Sequence, residues 1–165
     1  MSGLYKIIIH WSAGTNKPNA TDKQHYHFLI DGNGKVTKGT HSVYDNVNCT
    51  DGNYAAHVGG GNTGAIGIAL CGMAGFKNAK NVGKYPLTAK QCERAFKLIA
   101  ELSKQYGIPN DKNHVMTHYE FGLSHPKTSS HGKIDIIYLP PYPKVKANEV
   151  GAYFRQKGNW YLKHI

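Results

Sequence analysis

Two histidines stand directly behind short apolar runs: His10 after "III" and His118 after "VMT". Such runs read as strands, and a strand end is a rigid place from which to aim a ligand. Zinc in a hydrolase usually takes three protein ligands from His, Asp, Glu or Cys and leaves the fourth position to water. A third ligand is on offer in "HGKID", residues 131–135. In an extended segment residues two apart point to one side, so Lys133 and Asp135 are expected to face one cavity. The acid can bind the metal. The ammonium beside it can stabilise the oxyanion that grows as water attacks a carbonyl. His131 is the reserve ligand in the same stretch.

Other chemistries find less support. H-E-x-x-H is absent, which removes a zinc protease built on one helix, and so is the G-x-S-x-G nucleophile elbow. The glycines of "HVGGGNTGAIG" are not closed by G-K-[ST] and make no phosphate loop. Cys71 follows a strand, but its flanks are apolar and glycine-rich, with nothing to activate a thiol.

The elements that must position these groups are partly legible. "YKIIIHW", residues 5–11, reads as a strand buried on both faces. "NKPNATD" is turn-rich, and "HYHFLIDGNGKVTKG" reads as a hairpin turning at "DGNG". If Tyr26, Phe28 and Ile30 share one strand face, His25 and His27 point to the other. Residues 39–63 are rich in Asn and Gly and irregular; "TGAIGIALCG" is a strand whose glycines permit close packing. In "PLTAKQCERAFKLIAELSKQYGIP", Thr88 and Gln91 form a capping box. Cys92, Ala95, Phe96, Ile99, Leu102 and Tyr106 then recur at helical spacing, and Gly107 and Pro109 end the helix. "HVMTH" is a short strand and residues 119–144 are largely loop. A terminal helix is expected over about 147–164, with Val150, Tyr153, Phe154 and Tyr161 on one side and Gly158 against it. With no repeat and no linker, residues 1–165 read as one α/β domain, a mixed central β-sheet flanked by helices.

Composition narrows the partners. No apolar run approaches the ~18 residues that span a bilayer, and the first ten residues lack the pattern of a secretory signal. Three widely spaced cysteines make neither a disulfide framework nor a zinc ribbon. Net charge is +10, but of the 20 basic residues only Arg94 and Arg155 are arginine. That balance suits attraction to a polyanionic surface rather than base-specific nucleic-acid readout, which leans on bidentate arginine.

The stretches "IIIHWSAG", "HYHFLIDGNGKV", "AAHVGGGNTGAIGIALCG", "LTAKQCERAFKLIAELSKQYGIP", "HVMTHYEF" and "GKID" cover most of residues 5–139. In that order they resemble the zinc-dependent N-acetylmuramoyl-L-alanine amidases of the peptidoglycan-recognition-protein type, which include single-domain phage endolysins. The resemblance implies that fold and one zinc ion held by His10, His118 and Asp135. It places the Tyr26 hydroxyl near the metal, gives Lys133 the oxyanion role, and lines the groove for sugar and stem peptide with His57 and Asn62. The implied reaction is hydrolysis of the amide between N-acetylmuramic acid and L-alanine. Two departures stand out. Some members carry a glutamate general base where this chain has Ala69, so that role falls to Tyr26, to the activated water or to another group. The third ligand, Cys or Asp in the family, is often followed by Pro-Gly, whereas here Asp135 runs into "IIYLPP".

The remaining histidines have plainer readings. His25, His27, His41 and His164 are expected to be structural or exposed, and His125 and His131 lie in a loop that can cover the site. Glu120 is expected either beside a ligand or facing solvent. The C-terminal mixture of cations with Tyr153, Phe154, Trp160 and Tyr161 is first an ordinary helix closing the domain, and second a docking surface for anionic envelope. The whole suggests a monomeric endolysin made in a host cytoplasm and acting on the wall in the periplasm. The rival readings are a non-catalytic peptidoglycan-binding module on the same fold and a cationic nucleic-acid-binding protein.

Overall fold

The run Lys6–Trp11 forms β1, and its alternation assigns two faces of a sheet. Ile7, Ile9 and Trp11 enter the main core, whereas Ile8 joins a smaller cluster with Val58, Ala65, Met116 and Phe121 on the opposite face. His10 shares the parity of Ile8 and so lies on that second face. The computed structural model describes residues 3–165; Met1 and Ser2, part of the domain expected over 1–165, lie outside the described residues. After β1 come α1 (Ala20–His25), β2 (Phe28–Ile30), β3 (Val36–Lys38), β4 (Ala65–Leu70) and α2 (Ala89–Tyr106). β5 (Val115–Thr117), α3 (His118–Ser124) and α4 (Val150–Leu162) complete the chain.

The sheet has five strands in the order β3-β2-β4-β1-β5. β2, β4, β1 and β5 run parallel, and β3 is antiparallel to β2 at the edge. The expected mixed sheet flanked by helices is therefore what the chain adopts. α2 is anchored by its own N-terminus: beyond the Thr88 capping box, buried Gln91 donates to the carbonyls of Ile30 (2.8 Å) and Cys71 (2.9 Å). Those carbonyls end β2 and directly follow β4.

α4 packs across α2, and Gly158 is the reason it can approach closely. A Cβ there would lie 3.0 Å from Asn110 Nδ2 and 3.2 Å from Ile99 Cγ2. Arg155 donates to the Val115 carbonyl (2.9 Å) and to both oxygens of Glu120 (3.0 and 3.1 Å). Glu120 also accepts from the Thr117 backbone N–H at 3.0 Å. It is therefore neither a partner of His118 nor a solvent-facing acid, but a pin between α4 and the turn that carries His118. Phe154 is fully buried and makes an edge-on contact with Phe96, ring centroids 5.1 Å apart. Phe154→Ala is expected to cost about 3–5 kcal/mol in urea unfolding. An unchanged midpoint would show that α4 is an appended segment, not part of the core.

Two expectations of loop are corrected. "NKPNATD" ends in the cap and first turn of α1, where Asn19 accepts from the Asp22 N–H at 2.8 Å and the Asp22 carboxylate accepts from the Asn19 N–H at 3.2 Å. "YEFGLS" lies in α3, capped the same way by Thr117 and Glu120. Both helices are too short to show a period, so packing decides them. The strand expected through Tyr26 covers only Phe28–Ile30; His25 ends α1 and Tyr26 caps it.

Candidate metal centre

The site lies at the carboxyl edge of the parallel strands, where open α/β sheets place their ligands. Ile9 pairs with Thr117, so the next residues, His10 and His118, sit side by side with ring centroids 4.7 Å apart. Asp135 reaches them from a turn, not from the extended segment expected of "GKID". The residue after it supplies the turn. Ile136 adopts φ +53° and is fully buried in the core. A β-branched residue in the left-handed region is strained by about 1–3 kcal/mol. Burying a whole isoleucine offsets that by a similar amount, about 1.5–3 kcal/mol. The buried side chain thus helps turn the chain so that Asp135 faces back to the histidines.

His10 Nδ1 lies 2.7 Å from Asp135 Oδ2, and His118 Nδ1 lies 3.0 Å from Asp135 Oδ1. One ligand atom from each of the three residues falls within 4.8 Å of the others. Burial alone would raise the Asp135 carboxyl, but hydrogen bonds and charge from His10 and then His118 reverse this and hold it well below the usual carboxylate range. Burial lowers His10 despite the opposing pull of Asp135.

A groove of about 460 Å³ opens above this cluster, within the range of small-ligand sites. It is lined by Tyr26, His57, Asn62, His118, Lys133 and Asp135 among others. Lys133 and Asp135 thus share one cavity, as expected. Tyr26 stands with its ring 5.0 Å from that of His10, and burial followed by the Asp135 carboxylate raises its phenol, keeping the O–H. His57 is buried, its ring 5.1 Å from that of His10. Asn62 Oδ1 accepts from the backbone N–H groups of His57 and Val58, both at 2.9 Å, leaving its amino group for a ligand. Ala69 is fully buried, so no acid occupies that place; among the described lining residues Asp135 is the one carboxylate.

Residues 4–135 match the N-acetylmuramoyl-L-alanine amidase family, a span from before His10 through Asp135. The chain belongs to this family. Among solved structures this amidase-family chain is similar to peptidoglycan recognition protein SD of Drosophila: 21% identity over 76% of this chain and 74% of that one, TM-score 0.49. It is also similar to the N-acetylmuramoyl-L-alanine amidase LysC from Clostridium intestinale: 18% identity, 72% and 73% of the two chains, TM-score 0.47. The endolysin amidase LysCS of the same organism gives 19%, 71% of each chain, and 0.47. No curated protein matches the sequence at a significant level.

The donor set fits the metal that the family implies. Two imidazole nitrogens and a carboxylate are the nitrogen and oxygen ligands zinc takes in hydrolases, and one ligand atom from each lies within reach of a single ion. The reserve ligand His131 is not brought in: it is exposed, and its Nδ1 contacts the Gly122 carbonyl at 3.2 Å. His27 is structural, with Nδ1 accepting from the Gly67 N–H (2.9 Å) and Nε2 donating to Asn46 Oδ1 (2.9 Å). Two contributors were not foreseen. His25 stands on the groove wall, held by the Ala56 carbonyl at 2.9 Å, and buried Ser130 contacts His118 Nε2 at 3.0 Å. A short helix and a turn place them, and neither leaves a periodic signal.

Proposed function

We propose that this chain is a zinc-dependent N-acetylmuramoyl-L-alanine amidase that hydrolyses the amide joining the lactyl group of N-acetylmuramic acid to L-alanine in peptidoglycan. The observation that carries this reading is the convergence of His10, His118 and Asp135 on the floor of a groove whose walls hold Tyr26 and Lys133. His10, His118 and Asp135 would hold the zinc. When bound, it acidifies a water and polarises the scissile carbonyl. Lys133 offers its ammonium to the carbonyl oxygen as negative charge develops there. The C–O bond to water forms, the C–N bond breaks, and a proton from the water must reach the departing nitrogen. Tyr26, kept as a phenol, can accept and donate in one step without ionising, and in this reading it passes that proton. His57 and the Asn62 amino group border the space for sugar and stem peptide.

The chain acts as a monomeric phage endolysin, made in the host cytoplasm and working on the wall in the periplasm. A net charge of +10, with exposed Trp160 on the outer face of α4, supports contact with anionic envelope surfaces. Purified peptidoglycan incubated with the protein is expected to release free L-alanine amino termini, and a chelator is expected to stop that release. New reducing sugar ends, or release that persists without zinc, would sink the reading.

A further inference from the structure

Each ligating imidazole has a second nitrogen, and both of these face built acceptors. His10 Nε2 lies 3.0 Å from His57 Nδ1, and His57 Nε2 lies 3.1 Å from the Ala65 carbonyl oxygen. His118 Nε2 lies 3.0 Å from Ser130 Oγ, which donates to the Gly59 carbonyl at 2.7 Å. A carbonyl oxygen can only accept. His57 must therefore carry its proton on Nε2, which leaves a lone pair on Nδ1 for the Nε2–H of His10. Ser130 spends its hydroxyl proton on Gly59, which leaves an oxygen lone pair for the Nε2–H of His118. Both chains end on backbone, so neither direction of donation can be reversed.

We infer that His57 and Ser130 are positioning residues, each fixing a ligating imidazole in the tautomer that points a bare Nδ1 at the metal. The inference rests on the zinc reading above and assigns Ser130 a role and His57 a second one. The relays set where the single ring proton sits, not whether a second is taken up. The surrounding chain is shaped for this delivery. A Cβ on Gly67 would lie 2.7 Å from His57 Cγ, so only glycine leaves room for the ring over β4. Asn62 grips the backbone at His57 and Val58, while Asn46 donates to the Ala55 carbonyl at 2.9 Å. Ser130 is fully buried and His57 only 7% exposed, so water does not replace either partner.

The test measures zinc affinity by chelator competition, without substrate. His57→Leu and Ser130→Ala each remove an acceptor and are expected to weaken zinc about 10–100-fold. His57→Gln can still accept from His10 and donate to Ala65, and is expected to restore most of the affinity. A purely structural role predicts no such rescue. Should His57→Leu fail to fold, Ser130→Ala, which deletes one oxygen, carries the comparison. Long-range proton–nitrogen spectra of the zinc-loaded wild type are expected to show His10 and His118 ligated through Nδ1 and protonated at Nε2. Ligation through Nε2, or variants that hold zinc as the wild type does, overturns the inference. A chain that binds zinc through Nδ1 yet leaves peptidoglycan intact overturns the proposed function alone.

Discussion

Asp135→Asn is expected to abolish both zinc binding and hydrolysis while leaving the fold in place. The substitution keeps the shape of the side chain and removes its charge, so it isolates what the carboxylate does. In the wild type, Asp135 stays ionised against the cost of burial because His10 and His118 approach it at 2.7 and 3.0 Å. Without that charge two imidazoles remain, and the loss of affinity should exceed the roughly 10–100-fold that follows removal of an outer partner. A readout independent of activity is available. Zinc at 100 times its Kd adds about 2.7 kcal/mol to a protein that binds it only when folded. In a chain of this length that raises the thermal midpoint by about 5–11 °C. The wild type should show this shift and Asp135→Asn or Asp135→Ala should not. Retained one-to-one zinc in either variant would remove Asp135 from the ligand set. His131 would not explain such a result, since it lies outside the groove and contacts the Gly122 carbonyl.

What the sequence disclosed about this site follows from the range of the forces involved. β1 and α2 were legible because local pattern and burial agree over six or more residues, as in "KIIIHW" and the stripe from Cys92 to Tyr106. The short strands of the hairpin were legible through the turn residues "DGNG" between them. The pairing of His10 with His118 was foreseeable from two strand ends, though only the Ile9–Thr117 register shows that they touch. α1 and α3 left one local signal each, the capping boxes "NATD" and "THYE", without enough length for periodicity. The aim of Asp135 was not legible, because it depends on Ile136 accepting a positive φ in exchange for a place in the core. Nor could the sequence place the His57 ring, which is shaped by the missing side chain of Gly67 ten residues later and by a hydrogen bond to β1.

Lys133→Ala is expected to leave zinc affinity unchanged and to lower kcat about 10²–10³-fold, the scale of a lost oxyanion-hole donor at 2.7–4 kcal/mol. Lys133 lines the groove with Asp135 but lies outside the ligand cluster, so its loss should not disturb the metal. Its ammonium meets the carbonyl oxygen most strongly once that oxygen carries charge, which places the effect on kcat rather than KM. Lysine suits this task as a compact point charge on a flexible stem; Lys133→Arg keeps the charge with a different shape and should recover only part of the rate. The competing account is that Lys133 merely draws an anionic wall toward the groove. That account predicts a raised KM, an unchanged kcat and an effect that fades with salt. It also predicts a small effect, because Lys133 is one of 20 basic residues and the chain keeps a large positive excess without it. A loss confined to kcat and insensitive to salt therefore separates local charge stabilisation from the general field of the protein. A salt-sensitive change confined to KM would take the oxyanion role away from Lys133.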